Sequence, residues 1–129
     1  MEAPLQDGRR SGVSGPVSAR LCRLDELADG AARGFVIGAG TERTEIFVYR
    51  EGERIRGYRN ACPHVGTPLD MAEDDFLSTD GSHFLCHTHG ALFRIEDGFC
   101  IAGPCKGESL KPVALRLEEG WIALAAGRI

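Results

Sequence analysis

Apolar and polar residues alternate along this chain in short runs, and Gly-bearing turns punctuate them. Ala19 to Leu24 (Ala-Arg-Leu-Cys-Arg-Leu) alternates apolar with basic residues, the two-residue period of a half-buried strand. Asp25 to Gly30 reads as a turn of helix or a loop, and Gly34 to Ala39, with Phe-Val-Ile at its centre, as a buried strand. Thr44 to Arg50 is rich in β-branched and aromatic residues. Glu51-Gly52-Glu53 then turns the chain into Arg54 to Asn60, which predicts a hairpin.

The later part repeats this grammar. Met71 to Leu77 has the composition of a helical turn, and His83 to Leu85 of a short strand. Leu92 to Ile95 and Phe99 to Ala102 flank Glu96-Asp97-Gly98, whose Asp-Gly pair is a hairpin signal. Leu110 to Leu117 and Trp121 to Ala125 form a closing hairpin around Glu118-Glu119-Gly120. The sum is roughly eight to ten short strands, without a long amphipathic helix or an internal repeat. The predicted class is all-β, an antiparallel sandwich or partly open barrel.

Size and charge narrow the possibilities. A chain of 129 residues supports one domain with a modest core, expected over residues 19–126. Residues 1–18, rich in Gly, Ser, Arg and Pro, are expected to be a disordered tail. Arg9-Arg10 is followed by Ser-Gly-Val-Ser-Gly instead of an apolar segment, so no secretion signal is expected. Without a run of about 18 apolar residues, no membrane span is expected either, and the predicted location is cytoplasmic. A net charge of −4 argues against nucleic acid as a partner and is compatible with docking to a more basic protein.

The chemistry is concentrated in Cys62-Pro63-His64 and Cys86-His87-Thr88-His89-Gly90. Each segment offers one thiolate and one imidazole, and 21 residues separate the two (65 to 85). Two Cys and two His make a four-ligand metal set that zinc could fill. Structural zinc sites, however, usually pair Cys with Cys and His with His. One sulfur and one nitrogen from each loop suits two iron atoms with unlike ligands, Cys₂ on one and His₂ on the other.

With Gly66 and Gly90 close behind the histidines, the two-part signature Cys-x-His and Cys-x-x-His resembles that of the Rieske 2Fe–2S domain. The resemblance runs from about Leu21 to Leu124. It implies a base of antiparallel sheets with a cluster-binding subdomain at one tip, about residues 61–104. It also implies one 2Fe–2S cluster ligated by Cys62, His64, Cys86 and His89. The separation of the two loops is longer than usual in the family, and an acidic insertion, Asp70 to Asp80, accounts for the excess. Loop-closure cost grows only logarithmically with length, so the insertion leaves the ligand set intact.

Further expectations follow from the resemblance. No catalytic residue is expected, and the chain is read as the electron-transfer component of a dioxygenase-type system, not an enzyme by itself. It would be a Rieske ferredoxin taking electrons from a flavin-dependent NAD(P)H reductase to a terminal oxygenase. The alternatives are a small Rieske-like subunit of a nitrite-reductase-type complex, and a non-redox zinc-binding or redox-sensing module. High-potential members tie their ligand loops with a disulfide, at positions matching Thr67 and Thr88 here. They also place Ser and Tyr donors where this chain has Ala91 and Phe93. Lacking both devices, the cluster is expected at the low end of the roughly −150 to +300 mV Rieske band. Gly103-Pro104 resembles the family's proline loop over the cluster.

The remaining candidates have plainer readings. His87 is expected to be an exposed loop residue and His83 to be structural. Three Cys outside the ligand set is an odd number, which argues against a disulfide framework. Cys22, Cys100 and Cys105 read as small buried hydrophobes, although Cys100 and Cys105 bracket a turn across which they could meet. Asp70, Glu73, Asp74, Asp75 and Asp80 form a solvated face or a docking patch for a basic partner. Glu96-Asp97 and Glu118-Glu119 sit in turns and need no acid–base role.

Overall fold

The computed structural model describes residues 20–38, 43–63 and 66–125, so the expected N-terminal tail lies outside the described residues. Among the described residues there are ten strands: β1 (Arg20–Arg23), β2 (Ala32–Ile37), β3 (Thr44–Glu51), β4 (Arg54–Arg59), β5 (His83–Cys86), β6 (Ala91–Arg94), β7 (Cys100–Ala102), β8 (Pro112–Val113), β9 (Leu115–Glu118) and β10 (Trp121–Leu124). A 3₁₀ turn, Leu24–Glu26, follows β1. No helix among the described residues is long and apolar enough to cross a membrane.

The strands make three antiparallel sheets, ordered β1-β10-β9, β2-β3-β4-β8 and β5-β6-β7. β3 is central to the molecule because both of its faces are buried. Ile46 and Val48 point into one core with Leu21, Phe35, Val113, Ile122 and Leu124. Phe47 and Tyr49 point into the other with Tyr58, Phe76, Phe84 and Phe93. Successive strand side chains face opposite ways, so a strand buried on both faces reads as a continuous apolar run. The second core is aromatic: Phe47 stacks on Phe76 with centroids 4.4 Å apart and meets Phe84 edge-on at 5.0 Å.

Two expected elements take a different form. Leu110 to Leu117 is not one strand: β8 pairs with β4, β9 pairs with β10, and the chain changes sheet at Ala114. Ala114 is held there by its carbonyl, which accepts from Ala125 N at 3.0 Å. Met71 to Leu77 forms no helical turn. Phe76 and Leu77 instead pair with β5, through Leu85 N to Phe76 O at 2.8 Å and a bridge between Leu77 and Phe84. Burial of the Phe76 ring overrides the local helical composition. Gly34 of β2 makes room for that ring, since a Cβ there would lie 3.2 Å from Phe76 Cζ.

Candidate metal centre

The second ligand loop is the tip of the β5–β6 hairpin, where Cys86 pairs with Ala91 and residues 87–90 make the turn. Gly90 N donates to Cys86 O at 2.9 Å and closes it. The first loop leaves the end of β4 and closes in the same way, with Gly66 N donating to Cys62 O at 2.7 Å. Both glycines have positive φ, 81° at Gly66 and 78° at Gly90, and a Cβ on either would meet nothing within 4 Å. Their role is therefore conformational: only glycine adopts that backbone without cost. Two segments unrelated in sequence beyond Cys, His and Gly are thus closed by the same Gly-to-Cys backbone bond.

Asn60, buried at the end of β4, fixes the first loop at both of its ends. Its backbone N donates to Glu45 O at 2.8 Å, and its Oδ1 accepts from Leu69 N at 2.7 Å. Its Nδ2 donates to Asp70 Oδ1 at 3.1 Å. Sequence reasoning does not single out Asn60. The only signal is a polar residue at the last position of a strand, which does not distinguish a buried clamp from a solvent-facing end.

The loops touch directly. His87 N donates to Leu69 O at 3.0 Å, and the Thr67 and Thr88 hydroxyls lie 3.3 Å apart. Cys62 and Cys86 are buried, at 3% and 1% exposure, whereas Thr88, His89 and Gly90 are exposed. His64 lies outside the described residues. Among the described residues, no three His, Cys, Asp or Glu side chains close into a metal site. Two buried thiols and an exposed imidazole on facing loops are nevertheless a donor set suited to iron and sulfide.

The layer beneath the loops contains more sulfur. Cys105 Sγ donates to Cys100 Sγ at 3.2 Å, Cys100 Sγ donates to Ala102 O at 3.2 Å, and Cys105 Sγ lies 4.0 Å from Cys62 Sγ. The two outer cysteines do meet across their turn, and both are buried. Burial first, and the contact with Cys100 second, push the Cys105 thiol far up. Cys22 belongs to the other core, where burial raises it to about 11, as befits an inert thiol. Gly103, in the turn between Cys100 and Cys105, lies against β6, where a Cβ on it would meet Ala91 Cα at 2.7 Å. Ala91 and Phe93 are fully buried and carry no side-chain donor.

His87 departs from expectation. It is half-buried, not an exposed bystander, with Nε2 3.5 Å from Asp75 Oδ2. Other carboxylates of the insertion also have partners inside the protein. Asp74 Oδ1 accepts from Gly34 N at 2.8 Å, and Asp80 Oδ1 accepts from Ser82 N and the Ser78 and Ser82 hydroxyls. These contacts hold the Asp80 carboxyl at about 2, below the usual carboxylate range. The acidic residues are thus scaffolding for the insertion as well as a charged face.

Comparison with known proteins follows the same lines. No curated protein matches the sequence. Among solved structures, the ferredoxin of carbazole 1,9a-dioxygenase from Nocardioides aromaticivorans IC177 superimposes with a TM-score of 0.65 at 23% identity, over 84% of this chain and 96% of that one. A Sphingomonas yanoikuyae B1 ferredoxin does so with a TM-score of 0.62 at 24% identity, over 83% and 96%. The terminal oxygenase of the Nocardioides system also aligns, with a TM-score of 0.65 at 17% identity, but this chain covers only 30% of it. A chain of the complex of reduced oxygenase and oxidized ferredoxin in carbazole 1,9a-dioxygenase aligns at 20% identity and a TM-score of 0.66, over 89% of this chain and 98% of that one. These likenesses establish the fold. The model of the Rieske [2Fe-2S] domain matches residues 18–118, and with that match over most of its length this chain belongs to the Rieske [2Fe-2S] family.

Proposed function

We propose that this chain is a Rieske ferredoxin, a one-electron carrier whose 2Fe–2S cluster is held by Cys62, His64, Cys86 and His89. The observation that carries the reading is the pair of facing loops that place buried Cys62 and Cys86 beneath the exposed His89 in a chain of the Rieske [2Fe-2S] family. Two of its structural relatives are ferredoxins. The cluster, when bound, supplies a one-electron couple, and imidazole in place of two thiolates raises its potential above the roughly −400 mV of all-Cys ferredoxins.

The protein's own residues set how that couple is used. Cys62 and Cys86 sit at the buried bases of their loops, where water is excluded, and His89 stands at the exposed tip. An imidazole at the surface is the natural point of electron exit to a docked partner. Ala91 and Phe93, buried beside the second loop without donors, favour the low end of the Rieske range. A low-potential carrier suits a flavin-dependent NAD(P)H reductase as donor and a terminal oxygenase as acceptor, in the cytoplasm. The oxygenase–ferredoxin complex among the structural relatives supports the acceptor side.

The test is metal content followed by turnover. Two irons and two acid-labile sulfides per chain, a rhombic EPR signal on reduction, and loss of that signal in His64→Ser and His89→Ser are expected. A purified flavin reductase with NADPH should reduce the chain, and a Rieske oxygenase should reoxidise it. A colourless chain holding one zinc would overturn the proposal.

A further inference from the structure

We infer that Cys105 is a potential-setting residue: its thiol donates a hydrogen bond to the Cys62 thiolate and so favours the reduced state of the cluster. The inference rests on the ligand assignment above, and it begins from the three sulfurs under the first loop. Cys62, Cys105 and Cys100 are 3%, 1% and 0% exposed, so water does not compete for their protons. Cys100 donates to Ala102 O at 3.2 Å, and a carbonyl is a better acceptor than sulfur. With that proton committed, Cys100 can only accept from Cys105.

Cys105 has one proton and two sulfurs within reach, Cys100 at 3.2 Å and Cys62 at 4.0 Å. While Cys62 is a thiol, the nearer neutral sulfur wins. As an iron ligand Cys62 is a thiolate, and a charged acceptor makes a bond about twice as strong as a neutral one. Rotation about one C–S bond moves the proton from one sulfur to the other without displacing a heavy atom. A hydrogen bond to a ligand sulfur withdraws electron density from the iron and raises the potential. Ala91 and Phe93 carry no side-chain donor beside the second loop, whereas Cys105 offers one beside the first.

The loaded full-length protein provides the test through its midpoint potential. Cys105→Ala should lower it, and Cys105→Ser, which keeps a donor, should restore most of the loss. Cys100→Ala removes the same volume from the same layer and should not lower it. The wild-type protein, loaded with iron and sulfide in D₂O, should show shifted Fe–Sγ resonance Raman bands relative to protein loaded in H₂O. This readout does not depend on any variant folding.

Equal potentials in wild type and Cys105→Ala would overturn the inference, as would equal falls in the two alanine variants, which would mark a packing effect. Thiol counting after unfolding should find Cys22, Cys100 and Cys105 all reduced. A disulfide between Cys100 and Cys105 in the loaded protein would leave no proton to donate and would also overturn it. Loss of the cluster ligation itself would appear instead as altered metal content, which separates failure of this inference from failure of the carrier assignment.

Discussion

Thr67 and Thr88 meet hydroxyl to hydroxyl at 3.3 Å across the gap between the two ligand loops. They occupy the positions at which high-potential relatives are expected to carry a disulfide. A neutral contact between partly exposed hydroxyls contributes about 1 kcal/mol at most, so the loops here are joined chiefly by the backbone bond from His87 N to Leu69 O. Loops joined this way are held less tightly than loops locked by a disulfide.

The double variant Thr67→Cys, Thr88→Cys should therefore form a disulfide. Closing a loop of this length stabilises by up to about 3 kcal/mol. Urea unfolding with and without reductant checks it: the midpoint should rise in the oxidised variant only, and return to the wild-type value on reduction.

Phe76 anchors the insertion between the loops. Its ring is fully buried and stacked on Phe47 at 4.4 Å, over the space that Gly34 leaves open. Phe76→Ala should cost about 3–5 kcal/mol, the usual range for a buried aromatic truncated to alanine. Chemical denaturation measures it. A cost below about 1 kcal/mol would mean that the insertion contributes little to the aromatic core.

How far the sequence reveals this molecule depends on whether a residue's role is local. Alternation along Thr44 to Arg50 and the Asp97-Gly98 turn report local backbone preferences, and β3 and the β6–β7 hairpin appear where the pattern puts them. The facing of the Cys62 and Cys86 loops is legible because in each a Gly follows the Cys by four residues, with the His between them. Asn60 is not, because its three partners come from Glu45, Leu69 and Asp70, and no periodicity encodes a clamp of that kind. The same holds for the split of residues 110–117. Both halves look like strand, and only pairing to β4 and β10 decides that they belong to different sheets.

Asp74 separates scaffold from charge. It has φ of 64°, a left-handed backbone that Asp and Asn tolerate better than most residues, and its Oδ1 accepts from Gly34 N. Asp74→Asn preserves both features and should leave the unfolding midpoint near wild type. Asp74→Ala should cost about 2 kcal/mol from the lost hydrogen bond and backbone strain. With a basic redox partner, Asp74→Asn then reports charge alone: stopped-flow association should slow at low salt and converge with wild type at high salt.

Asp80 supplies a pH signature. Its hydrogen bonds from Ser82 and Ser78 depress its carboxyl to about 2 in the folded chain, below its ordinary value. A depressed folded value means that the ionised form is favoured by folding. That contribution is present in full above the ordinary value and is lost as pH falls from about 4 through 2. Wild type should be more stable than Asp80→Asn at neutral pH, and the gap in unfolding temperature should narrow across that window. A constant gap down to pH 2 would show that the turn does not depend on the charge.

Gly103, in the turn between Cys100 and Cys105, has no room for a side chain. Its φ is 100°, and an added Cβ would lie 2.7 Å from Ala91 Cα and 3.1 Å from Ala91 Cβ. The first contact is with backbone, so no flexible side chain can swing aside. Ala91 in turn pairs with Cys86 at the base of the second loop, which leaves it little freedom to retreat. Gly103→Ala must then lift the Gly103–Pro104 turn away from β6, at a cost of about 2–4 kcal/mol from backbone strain and overlap together. Lifting the turn would also admit water to Cys100 and Cys105, which are now closed off. The variant should unfold at lower denaturant concentration, and its buried thiols should react faster with a soluble thiol reagent under native conditions. Ala91→Gly placed behind it removes the side-chain contact but not the backbone one, so it should recover only part of the loss. Full recovery would locate the clash at the Ala91 methyl instead of the β6 backbone.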